Sequence, residues 1–127
     1  MPQDPQWGTH NDAVDTYVGE VWGAEYQFHT NIPYNNAGLP DQDVPCTVCR
    51  AKTRTTTLMT PGRQDCYSGW TKEYSGYLMS DWKGHHRRQY VCMDGTPEAV
   101  TGGASDQNGA LFYPVDARCG SLPCPPY

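Results

Sequence analysis

The sequence is poor in most of the features that assign a chain to a large functional class. It holds no apolar run approaching the ~18 residues of a membrane-spanning helix, so no membrane span is expected. Basic residues are scarce: 9 Lys and Arg stand against 14 Asp and Glu, for a net charge of -5. The one local cationic patch is His85-His86-Arg87-Arg88. Phosphate binding needs a basic stripe, so nucleic acid is not an expected partner, and an acidic balance suits a cation instead. A nucleophile elbow, a His-Glu-x-x-His zinc helix and a phosphate loop are all missing, and no enzyme is expected. No stretch keeps a helical period over three turns and no repeat occurs, which excludes bundles and solenoids. Met1-Pro2-Gln3-Asp4-Pro5 lacks the charged and apolar regions of a secretory signal.

What is present fits one small domain over residues 1–127. Such a length buries roughly two-thirds of its unfolded surface. The hydrophobic fraction is only 37% with mean hydropathy -0.73, yet 9 Tyr and 4 Trp carry much of the apolar area. The core is therefore expected to be aromatic and to need staples. Six cysteines, Cys46, Cys49, Cys66, Cys92, Cys119 and Cys124, predict disulfides whose pairing is left open. Disulfides persist in oxidising compartments, so a secreted protein is expected.

Along the chain, residues 1–13 predict an irregular arm, with Trp7 as its one docking side chain. Residues 14–28 alternate, so that Trp22, Ala24, Tyr26 and Phe28 share one face of a half-buried strand. Residues 30–45 and 96–108 are long turn-rich loops, and loops of that length are commonly functional. Strands are predicted over 48–59 from its β-branched content, over 70–79, over 88–93 and over 110–119. In the last, Leu111, Tyr113, Val115, Ala117 and Cys119 share a predicted inward face, and Pro114 predicts an edge or a bulge. The fold class is mostly β: a disulfide-stapled sheet or sandwich with two long functional loops and little helix.

Asp41-Gln42-Asp43 places hard oxygen ligands on a turn between Pro40 and Pro45. Its plainer reading is a solvated loop. A second cluster, Ser105-Asp106-Gln107-Asn108-Gly109, repeats the chemistry, and Ca²⁺ takes about six to eight such oxygens. Neither cluster has EF-hand spacing; Asp94 and Glu98 are further oxygen donors nearby. Cys46-x-x-Cys49 reads as a redox pair, half a zinc site or structural cysteines. A Thr-rich strand after it, rather than a helix, weighs against the redox reading, and the lack of a second close pair weighs against zinc. His85 and His86, if on a strand, point to opposite faces. They then form a polar turn, or one of them lines a ligand groove with Trp82 and Arg87.

Val44-Pro45-Cys46-Thr47-Val48-Cys49, Trp70-Thr71-Lys72-Glu73-Tyr74-Ser75-Gly76-Tyr77-Leu78-Met79, His85-His86-Arg87 and the closing block from Asn108-Gly109-Ala110-Leu111-Phe112-Tyr113-Pro114 to Cys124-Pro125-Pro126-Tyr127 together resemble the sea-anemone galactose-binding lectins. That domain also occurs in invertebrate short-chain collagen-like proteins. The collagen repeat itself is absent, because 13 scattered Gly do not fall at every third position. The resemblance implies a secreted, disulfide-bonded, mostly β homodimer that binds terminal galactose through Ca²⁺. It carries metal roles onto Gln42, Asp43, Asp106 and Asn108, with Asp41 beside them, and sugar roles onto Gln42, Asp43, Asp106, Asn108, Trp82 and His86. Trp82, then Tyr34 and Trp70, are the candidate rings for the sugar's apolar face. The alternative is a structural extracellular-matrix or adhesion module without sugar binding, and a further rival is a zinc or hydrolytic centre built on His85 or His86.

Overall fold

The structure is a computed structural model, and it describes residues 4–9, 16–28, 38–86 and 89–122. Cys124, Tyr34, Arg87 and much of the N-terminal arm lie outside the described residues. Four strands form one sheet: β1 Ala24–Tyr26, β2 Gly76–Ser80, β3 Val91–Asp94 and β4 Ala110–Pro114. Their spatial order is β1-β4-β2-β3, and the sheet curls as a half-barrel. β1 runs parallel to β4, with Glu25 beside Leu111, whereas β2 is antiparallel to both β3 and β4. No helix occurs among the described residues, so the mostly β expectation holds.

The core lies on one face of this sheet. Tyr26, Phe28, Leu39, Met79 and Met93 are buried, and Val44, Tyr77, Val91, Ala99 and Phe112 pack against them. The Tyr26 and Phe28 rings meet at 5.8 Å and 57°, a tilted pairing that suits aromatic quadrupoles. The Tyr26 hydroxyl donates to the Glu98 carbonyl at 2.8 Å, which satisfies the polar end of a buried ring. Two methionines fill the remaining irregular space, as their flexible chains allow. Burial of Tyr26 and Phe28 follows the predicted face of the first strand, while Trp22 stays half exposed at 50%.

Three sequence expectations need correction. Residues 48–59 form no strand: they carry no cross-chain backbone hydrogen bond, and Val48 is fully exposed. Their Thr, Lys and Arg side chains offer no apolar face, so β-branched content alone has no burial to draw on. In β4 it is Phe112, not Leu111, that packs on the core; a one-residue change of face inverts the whole set. Pro114 closes an inner strand, and the position of its missing N–H explains why this is tolerated. The last bond from the β1 side is Gln27 N–H to the Phe112 carbonyl, whereas Val115 N–H turns to Leu78 on β2, so Pro114 faces the side where β1 has already ended.

Among the described residues no disulfide is shown within this sheet. Cys46, Cys49 and Cys66 are exposed free thiols and Cys92 is a half-buried one. The first three sit on exposed, irregular chain that no ladder fixes beside a partner, and bridging needs Cα atoms within about 7 Å. Cys119, in an exposed segment, is disulfide-bonded.

Candidate functional site

Topology gathers three segments at one end of the sheet. β2 leaves the sheet at Ser80, and β4, antiparallel to it, enters at Ala110. The turn from Asp81 to His86 and the loop from Ser105 to Gly109 therefore emerge side by side. β1 is parallel to β4 and starts at Ala24, so the chain before it arrives at the same end. There the Trp22 side chain covers Gly109, where an added Cβ would lie 2.6 Å from the indole.

A fourth segment joins from the outer edge of β1. Tyr26 N–H donates to the Gln42 carbonyl at 2.9 Å and Val44 N–H to the Ala24 carbonyl at 2.7 Å, bracketing an isolated bridge between Glu25 and Asp43. Within that bracket Glu25 and Asp43 are a non-hydrogen-bonded pair, the arrangement that brings side chains closest on one face. Asp43 turns its own backbone outward, donating to Gly103 at 2.7 Å and accepting from Val100 at 3.1 Å. A Cβ on Gly103 would stand 2.7 Å from the Asp43 side chain, so the two predicted loops meet here through a glycine. Gln42 gives its backbone carbonyl to Tyr26 in the same bracket.

Glu25 is the residue that sequence reasoning missed. It is only 2% exposed, and its two carboxylate oxygens accept from the backbone N–H groups of Gln107 at 2.8 Å and Asn108 at 2.9 Å. A buried carboxylate thereby fixes a loop whose side chains are exposed. The loop needs such an anchor, since Asp106 and Asn108 take φ values of 47° and 55°, a left-handed conformation that Asp and Asn tolerate better than most residues. The Asn108 side-chain amide donates to Asp106 Oδ1 at 2.6 Å, so its nitrogen is engaged within the loop and its oxygen is the group that can accept. The one sequence signal for Glu25 is an acidic residue inside an otherwise aromatic, alternating strand.

His85 and His86 lie in a turn rather than a strand, and both line one cavity of about 340 Å³ together with Asp81, Gly84, Asn108, Gly109 and Leu111. The expectation that they face opposite ways fails because turn backbone does not alternate. Asp81, whose side chain is 9% exposed, holds His85 Nδ1 at 2.8 Å and accepts Trp82 N–H on the same oxygen at 2.8 Å. With Nδ1 engaged by Asp81, Nε2 is the other ring nitrogen of His85. The Trp82 ring stands edge-on to His85 at 5.2 Å and remains 48% exposed. In β4, opposite Ser80, Tyr113 has its phenol pushed up, first by burial and then by the Asp81 and Asp41 carboxylates. Asp41 itself sits at a φ of 61°.

Comparison of the chain with family models, curated proteins and solved structures finds no match. The site's chemistry therefore rests on its own residues. Of the predicted set, His86 and Asn108 share the cavity, Trp82 joins them through His85, and Asp43 is one strand away beside Glu25. Asp106 supports Asn108. Among the described residues no three His, Cys, Asp or Glu side chains converge as a metal cage. Among the described residues Gln27 Oε1 is buried without a hydrogen-bond donor, two residues beyond Glu25. One orphaned acceptor of this kind suits a hard cation with most of its shell supplied by water, and not a dehydrated cage.

Proposed function

We propose that the protein is a secreted carbohydrate-binding protein, a lectin, that takes a terminal galactose at the cavity between the 81–86 turn and the 105–109 loop. The observation that carries this reading is the convergence of His85, His86, Asp81 and Asn108 on one cavity whose rim loop is pinned by a buried carboxylate. A cavity of this size falls in the range of small-ligand sites, above about 300 Å³. Its lining suits a sugar, with imidazole nitrogens that donate or accept and an amide oxygen, and the exposed Trp82 indole stands against His85 beside it.

Each residue has a part in recognition. Asp81 fixes the His85 ring so that its other nitrogen keeps one orientation toward a hydroxyl, and Asn108 presents an acceptor fixed by Asp106. Glu25 keeps the loop in register, so binding does not have to order it first. Asp41, Asp43 and Gln27 Oε1 would hold calcium one strand from the cavity, and its positive charge would tie together the two loops that meet at Asp43 and Gly103. Single sites of this kind are weak, with Kd near 1 mM corresponding to about -4 kcal/mol. A homodimer linking sites gains about 10²-fold or more in avidity.

A glycan array probed with the native protein and with Asn108→Ala, each with calcium and with a chelator, tests the reading. Galactose-terminated signals that vanish in the chelator and in the variant are expected. Signals that survive chelation overturn the role of calcium, and none under any condition favours a matrix or adhesion module.

A further inference from the structure

A second cavity of about 180 Å³ adjoins the first, and the two share Asp81 and Leu111 as lining residues. Among the described residues its remaining walls are Ser80, Gln89, Val91, Ala110 and Phe112, so the first space carries more polar groups and its neighbour is walled mainly by aliphatic and aromatic ones. Val91 and Phe112 also pack against the core, which makes these walls part of the sheet rather than a mobile surface. An apolar space of about 150 Å³ is enough to hold a benzene ring, so a six-membered aromatic ring or a short branched alkyl group matches this volume. The hydroxyls of a free monosaccharide would lose their water here without enough polar partners.

We infer that the ligand extends from the polar cavity into the apolar one, so that the site prefers glycosides whose aglycone is an aryl or branched alkyl group. This rests on the sugar-binding reading and adds a specificity that the reading lacks. Leu111 lines both cavities, so an apolar group carried directly on the sugar reaches from one into the other.

Isothermal titration of phenyl and methyl β-galactosides into the native protein, with the glucoside and mannoside pairs in parallel, tests this without any variant. The phenyl galactoside is expected to bind about tenfold or more tightly than its methyl partner, as burial of a ring predicts, with intermolecular NOEs from the ring to Val91 and Leu111. Equal affinities, or ring NOEs to the exposed Trp82 alone, overturn the inference while leaving the sugar reading in place. A phenyl gain on glucosides or mannosides without galactoside preference supports the inference and overturns galactose selection alone. No binding of any glycoside overturns both.

Discussion

Replacing Glu25 by Gln tests how the site is held. In the native protein the carboxylate is buried and accepts two backbone N–H groups, at 2.8 and 2.9 Å. Hydrogen bonds to a charged group contribute about 1.5–3 kcal/mol each, so two amount to about 3–6 kcal/mol as an upper bound. Glutamine keeps one acceptor oxygen and turns its NH₂ against a backbone donor, while the released loop recovers part of the loss by hydration. The expected cost of Glu25→Gln is therefore about 2–4 kcal/mol. It should appear as a lower urea midpoint at unchanged m-value, with hydrogen exchange at the Gln107 and Asn108 amides accelerated beyond the global change. Native amides at these two positions that already exchange like open loop, or a variant with an unmoved midpoint, would refute the reasoning.

Gly76→Ala should separate β2 from β3, since its Cβ would collide with the Met93 carbonyl; a cost of about 3 kcal/mol is expected in denaturant unfolding. Tyr26 and Tyr113 predict alkaline instability. Burial foremost pushes both phenols above the ordinary 10.0, so the fold favours their neutral form. That contribution is complete below pH 10.0 and is lost as pH rises through the folded value, so tyrosinate absorbance and loss of near-UV dichroism should rise together there. Among the free thiols, Cys92 is held up, chiefly by burial, and should alkylate at neutral pH more slowly than the exposed Cys46, Cys49 and Cys66; equal rates would contradict its packing.

The strands that were legible in the sequence are those with an aromatic or apolar face to bury. Tyr26 and Phe28, Met79, Met93 and Phe112 lie in or beside the observed β1 to β4, all within or overlapping predicted segments. The segment 48–59 misled because β-branched residues signal strand only where a partner and a buried face exist. The two loops were legible as oxygen-rich turns, and the structure does bring Asp43 to Gly103 and Asn108 to Glu25. What could not be read was the crossover of β1 to β4, because parallel pairing leaves no short turn in the sequence. Without that pairing Glu25 reads as a solvent-facing alternate, and the sharing of one cavity by His85 and His86 is hidden behind the assumption of a strand.

The most direct measurement is a titration of methyl β-galactoside, in calcium, followed by NMR of the His85 and His86 imidazole C–H resonances. Both imidazoles should shift and saturate together, with a Kd of order 1 mM, and chelation of calcium should reverse the change. Imidazole signals that stay fixed while the protein binds galactose would place the sugar elsewhere and contradict the account.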